Sequence, residues 1–323
     1  MNLRLIEIFL PLEHKLKVEE GLRECEIVDF WHDRISEKKI LVRALVPAGD
    51  SEKFLDILEN EFSEIEGFRV VILPVEASIP RFEGREVEEK EKTERISREE
   101  LYTKISGSTG LSFNYVLLII FSSIIAAVGL VYGNIPMVVG AMIIAPFLLP
   151  SVALSFATIS GDFSLAWRAL KITFIGVLLA LFFSALVGMI FNININAPEI
   201  LNRTEVSLGD VVVSLLSGSI AVLSFTSAMV TSIAGVMIAV ALLPPLVVAG
   251  MLLGTGSLTG FGGAILLFFV NLIGINLAGV ITFLVQKVRP RTVFDFTKAQ
   301  LLTFLALFVW IIFFIFVLFL VMK

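Results

Sequence analysis

The chain alternates first and turns continuously apolar later. Leu3 to Leu10 (LRLIEIFL) places apolar residues at every second position for much of its length, and Pro11 ends it, which predicts a half-buried strand. Glu13 to Glu24 is charged, with Leu16 and Leu22 at helical spacing. Glu26 to Ile35 (EIVDFWHDRI) alternates again, and Lys39 to Val46 is a further strand stopped by Pro47. Ser51 is expected to cap a helix running to Phe62, with Phe54, Leu55, Leu58 and Phe62 on one face. Gly67 to Val75 closes the set. The order β-α-β-β-α-β over residues 1–82 predicts a small α+β, ferredoxin-like soluble domain.

Residues 83–111 form a connector dense in Glu, Lys and Arg, where Ser97-Arg-Glu-Glu resembles a capping box. Beyond it come apolar runs at about 112–132, 135–159, 168–191, 210–231, 233–254, 261–285 and 299–322. Each reaches the roughly 20 residues that cross a hydrocarbon layer. The expectation is a polytopic α-helical membrane domain over residues 112–323. Lys104, Arg168, Lys171, Lys287, Arg289, Arg291 and Lys298 fall in alternate loops, against Arg203 and Lys323 in the others. That bias predicts a cell-membrane protein with its N-terminal domain in the cytoplasm and its C-terminus outside.

One stretch occurs twice. Gly140 to Pro150 reads GAMIIAPFLLP, and 95 positions later Gly235 to Pro245 reads GVMIAVALLPP. From Gly140 to Val152, six of thirteen positions are identical to their counterparts. The small-residue stripe Ser122, Ala126, Gly129, Gly133 maps onto Ser217, Ala221, Ser224, Ala228, and Gly161 maps onto Gly256. Spans one to three (about 112–191) are therefore expected to recur as spans four to six (about 210–285), with 299–322 left over. Three is odd, so the second copy must enter the membrane from the opposite side: an inverted 3+3 repeat. Prolines remove backbone donors, and inside a bilayer the freed groups need protein or a water-filled cavity. Breaks are expected at Pro146/Pro150 and Pro244/Pro245. The candidate ligand-binding residues are Gly140, Pro146, Pro150, Ser151, Gly235, Pro244 and Pro245, with Asn271 and Asn276 of span six as uncharged polar neighbours.

Composition narrows the chemistry. Hydrophobic residues make up 57% of the chain and the mean hydropathy is +0.92. A net charge of −5 argues against nucleic acid as a partner. Cys25 is the single cysteine, and His14 and His32 both precede the membrane domain, so no cysteine-zinc, HExxH or intramembrane Ser–His arrangement is available. No ionisable residue falls mid-span, which disfavours a carboxylate proton relay. No catalytic activity, metal or cofactor is expected. The expected partners are the lipid bilayer and a small solute or ion; the small-residue stripes leave a homo-oligomer open.

The motif Gly140, Ala141, Met142, Ile144, Pro146, Pro150, the lead-in ISREELYTKI and the second SIAGVMIAVALLPP resemble the DUF389 family of prokaryotic membrane proteins. The resemblance covers most of residues 96–285. It implies a conserved hydrophobic domain behind a soluble N-terminal region, and it implies no activity. Ala241 stands where the first copy has Pro146. Two functions follow as expectations: a transporter or channel-like protein with its site at the paired broken helices, or a non-transporting sensor or scaffold whose N-terminal domain binds a cytosolic ligand or partner.

Overall fold

Alternation in the first strand becomes a two-faced sheet. In the computed structural model, which describes residues 3–14, 18, 27–47, 50–75, 78, 98–226, 231–286, 288, 308 and 311–312, β1 (Leu3–Pro11) buries Leu3, Ile6, Ile8 and Leu10. It lies between β3 (Lys39–Pro47) and β4 (Arg69–Val75), and β2 (Asp29–Arg34) pairs with the far side of β3. The order is β2-β3-β1-β4 and all three pairings are antiparallel, with Ile6 opposite Ala44 and Ile8 opposite Val42. Helix α1 (Ser51–Phe62) lays Phe54, Leu58 and Phe62 into the core that these residues form. Asp50, not Ser51, occupies its N-cap position, and Ser51 is buried as the first helical residue. Arg43 on β3 joins Glu7 of β1 through Nε (2.8 Å) and Asp33 of β2, an ion-pair bridge across three strands. The helix expected over Glu13–Glu24 lies almost wholly outside the described residues.

The chain divides into two compact units: the first comprises Met1–Tyr102 with Thr226–Ala228, the second Thr103–Phe225 and Met229–Lys323. After α2 (Arg98–Ser108) come α3 (Phe113–Val131), α4 (Ile135–Ile144), α5 (Leu148–Ser160) and α6 (Phe163–Ile190). A short α7 (Pro198–Leu201) precedes α8 (Leu208–Thr226), α9 (Thr231–Gly254) and α10 (Leu258–Val285). Among the described residues, five helices are long and apolar enough to cross a membrane, and the bent pair α4–α5 makes up to six. The run 299–322, expected as a seventh span, lies outside the described residues apart from three positions.

The helix ends keep the sequence offset. Both α3 and α8 have 19 residues, starting at 113 and 208 and ending at 131 and 226. Both α6 and α10 have 28, starting at 163 and 258 and ending at 190 and 285. Local chemistry sets the boundaries in the same way. Ser112 caps α3 by accepting the Tyr115 N–H at 3.1 Å. At the start of α8 the bonds are reciprocal: Ser207 N–H donates to Asp210 Oδ2 (2.9 Å) and Asp210 N–H to Ser207 Oγ (3.3 Å). Gly161 (φ 69°) and Gly256 (φ 80°) turn the chain after α5 and α9 in the left-handed region, where a Cβ would be strained. Members of both stripes pack within the chain: a Cβ on Gly129 would press on Val138 at 2.9 Å, and Ser217 Oγ donates to Val213 O and Met237 O.

Candidate functional site

Pro146 breaks the second span. It has no N–H to give Met142 O, so the helix stops at Ile144, and Ala145 swings to an extended ψ of 121°. Ala145 N–H still reaches Ala141 O (3.1 Å), and Phe147 N–H folds back to Ala145 O (3.0 Å). Helix α5 restarts at a 50° bend. Pro150 falls in its first turn, where a missing N–H costs nothing, and it is buried. Ser151 is buried too, its Oγ donating to Phe147 O at 2.9 Å across the restart.

The fifth span does not break, contrary to the expectation at Pro244/Pro245. Helix α9 runs from Thr231 to Gly254 with both prolines inside it. The reason comes from another helix. Pro245 withholds the N–H that Ala241 O would receive, and Asn271 Nδ2 of α10 donates to that oxygen at 2.8 Å. Asn271 is 3% exposed, and among the described residues nothing donates to its Oδ1. Asn276, fully buried, gives its Nδ2 to Leu272 O (2.8 Å), and Ser155 Oγ of α5 lies 3.3 Å from its carbonyl and 3.4 Å from its Oδ1. Gly235 sits under Leu148, to which its Cβ would come within 3.6 Å; a Cβ on Gly140 would meet nothing within 4 Å.

Paired contacts knit the centre. A Cβ on Gly250 of α9 would collide with Ser184 Oγ and come 2.7 Å from Leu181 O of α6. A Cβ on Gly279 of α10 would stand 2.5 Å from Ser155 Oγ of α5. Move 184 forward by 95 to 279 and 250 back by 95 to 155, and the first Ser–Gly pair becomes the second. The same exchange turns Leu181/Gly250 into Asn276/Ser155, and the close approach of Gly188 to Met251 into the edge-on ring pair Phe283/Phe156 at 5.5 Å. Directions follow from the same contacts. Gly250 meets Leu181 and Ser184 while Gly254 meets Ala185 and Met189, so α6 and α9 are parallel. Helix α10 returns antiparallel to α9, with Gly260 beside Leu252 and Asn271 beside Ala241.

A cavity of about 710 Å³ opens against α4, on the N-terminal side of the break. Its walls include Gly129 of α3, Val139 and Met142 of α4, and Val240 of α9. Glu199, Arg203, Glu205 and Asp210, from the stretch around α7 and the start of α8, bring three carboxylates and one guanidinium to it. Burial pushes the Arg203 guanidinium below its usual value, and the negative charge of Asp210 works against that shift. Met142 and Val240 share a property: each lies four residues before a proline, Pro146 and Pro244, that withholds its carbonyl's helical donor. None of the nine sequence-predicted residues is among the described residues lining this cavity. They hold the frame around it instead. The carboxylates and Arg203 that line it were not among the sequence-predicted residues; their signal was a small charged cluster between otherwise uncharged spans.

Helices of this length and composition, with a broken pair among them and a separate antiparallel sheet, are those of a multi-pass membrane protein carrying a small α+β unit. The DUF389 profile, a domain of unknown function, matches residues 142–277. An uncharacterised protein of Methanocaldococcus jannaschii is 32% identical over 315 residues, covering 98% of this chain and 97% of the relative. The chain belongs to the DUF389 family. No solved structure matches it.

Proposed function

We propose that the chain is a membrane transporter for a small solute or ion, built on an inverted three-helix repeat. The observation that carries this reading is the broken helix pair α4–α5, whose first helix walls the 710 Å³ cavity through Val139 and Met142. Irregular backbone at membrane depth belongs where it lines a cavity, and paired interrupted helices mark midplane sites in secondary transporters. The inverted relation is supported by direction: α6 runs with α9 and α9 runs against α10, so α6 opposes α10, its counterpart by offset. Exchange of partners under that offset is what a two-fold relation between halves requires. Three carboxylates against one guanidinium, with carbonyls short of donors, favour a cation over an anion. The charge bias of the loops supports a cell-membrane orientation with the N-terminal domain in the cytoplasm and the C-terminus outside, and no catalytic step is assigned.

The full chain in liposomes should pass one or more members of a panel of monovalent cations, divalent cations and small organic ions, and Pro146→Ala should depress that flux. Inserted protein that passes none of them defeats the reading. The N-terminal sheet order also supports the ferredoxin-like assignment. A sensor or scaffold role is favoured by one observation, the edge strand β2, whose six residues are all exposed, Phe30 and Trp31 included. Transport-null protein that captures a cytosolic partner through β2 would favour it.

A further inference from the structure

The two repeats are not in the same state, and the differences are local. Positions 145–147, where the first copy breaks, correspond to 240–242, where α9 stays helical. The middle residue of that triplet is Ala241, the counterpart of Pro146, and its carbonyl is the one that Asn271 holds. Val139 lines the cavity and is 41% exposed; its counterpart Ala234 is 1% exposed. Leu148 covers Gly235, whereas nothing comes within 4 Å of a Cβ on Gly140. On the closed side, Lys104 stands over the ring of Phe225, 5.3 Å from its centroid; Phe225 is the counterpart of the cavity residue Leu130.

We infer that Asn271 is a latch, and that its release lets α9 bend at residues 240–242 and open a second cavity, walled by Ser224, Phe225, Ala234 and Met237, as the first one closes. The inference rests on the inverted-repeat reading of the transporter. The physical case is that α9 already carries the defect. Pro244 and Pro245 remove two donors from its middle, and a single side-chain hydrogen bond from α10 replaces one of them. A helix whose continuity hangs on one interhelical bond has a nearby alternative, and the first copy displays it as the 50° bend. The Asn271 amide is suited to letting go, since its Oδ1 is buried and without a donor among the described residues. In the alternate state the roles exchange: the segment 240–242 breaks as 145–147 does now, Ala234 and Met237 line a cavity as Val139 and Met142 do now, and residues 139–148 pack as 234–243 do now. Alternation between these two arrangements exposes opposite faces of the membrane in turn, because the repeats run in opposite directions.

The test is thiol access in lipid nanodiscs, where both faces are reachable. Cys25, the single cysteine, is replaced by Ser, and Val139→Cys or Ala234→Cys is introduced as the reporter. A small charged methanethiosulfonate reagent reads each. With Asn271 in place, Val139→Cys should label readily and Ala234→Cys slowly. Adding Asn271→Leu should raise the Ala234→Cys rate about three- to tenfold, the worth of one neutral interhelical bond, and lower the Val139→Cys rate. Pro245→Ala gives Ala241 O an N–H from its own helix, so combining it with Asn271→Leu should return both rates to their starting values. Unchanged rates in Asn271→Leu overturn the latch. So does a rise at Ala234→Cys with no fall at Val139→Cys and no rescue by Pro245→Ala, which is loosening without exchange. Cation flux together with unchanged labelling removes the latch and leaves the transporter standing; exchange without flux does the reverse.

Discussion

Gly188 lets two membrane helices touch backbone to backbone, and Gly188→Ala measures what that contact is worth. The added Cβ on α6 would fall inside the carbonyl oxygen of Met251 on α9, 2.9 Å from its Cα and 3.0 Å from its carbonyl carbon. Every one of those atoms is backbone, so no side-chain rotation relieves the clash and the helices must part. Ordinary contact begins near 3.4 Å, which sets the separation at half an ångström or more. A gap of roughly 0.5–1 Å forfeits a quarter to a half of each dispersion contact it opens. Here it opens Gly250 against Ser184 and Gly254 against Ala185 as well. Overpacking of this kind costs about 1–3 kcal/mol, and the rigid partners place Gly188→Ala towards the upper end. Gly140→Ala is the control, because its Cβ meets nothing within 4 Å and alanine in a helix is favoured by roughly 0.5–1 kcal/mol. The same substitution should therefore destabilise at 188 and be neutral or stabilising at 140. Equilibrium unfolding in mixed detergent micelles, followed by far-ultraviolet circular dichroism, reads the difference. If Gly188→Ala proves as stable as Gly140→Ala, the close approach of α6 and α9 is wrong and the reciprocal contacts lose their anchor.

Ser207→Ala should cost about 0.5–2 kcal/mol in the same unfolding assay and more than Ser112→Ala, since it removes a reciprocal cap where Ser112 supplies a single acceptor; equal effects would contradict the reciprocal bond. Phe62→Ala removes a fully buried ring packed 5.8 Å from Phe68 and should cost about 3–5 kcal/mol in the N-terminal unit, read as faster hydrogen exchange in β1 and β3. Unaltered protection there would mean that α1 does not seal the sheet. Pro146→Ala restores a donor to Met142 O and should straighten α4–α5, lowering any cation flux with little change in stability; wild-type flux would remove the break from the pathway.

Much of the membrane unit was legible because repetition is a one-dimensional signal. Six matching positions around Gly140 and Gly235 gave an offset, and the helix ends at 113/208, 131/226, 163/258 and 190/285 keep it. The strands were legible for the same kind of reason: Ile6, Ile8 and Leu10 alternate, and a pleated strand alternates with them. What the sequence could not give was the fate of the second pair of prolines. Whether Pro245 breaks α9 depends on a donor 26 positions further along the chain, on another helix, and no local pattern around 245 announces it. The cavity was missed for a related reason. Glu199, Arg203, Glu205 and Asp210 stand in a connection between spans, where charges are ordinary, and only the fold turns them towards Met142 and Val240.

The prolines supply the argument that joins these observations. Pro150 opens a helix and withholds nothing that α5 needs. The other three, Pro146, Pro244 and Pro245, each take a donor from a carbonyl four residues earlier: Met142, Val240 and Ala241. At membrane depth a carbonyl left bare costs several kcal/mol, so each must find protein or water. Ala241 finds protein, the amide of Asn271. Met142 of α4 and Val240 of α9 both line the one cavity. One helix is already bent at its proline, and the other is kept straight by a single bond from a third helix, so the same proline chemistry has two outcomes that differ by one side chain.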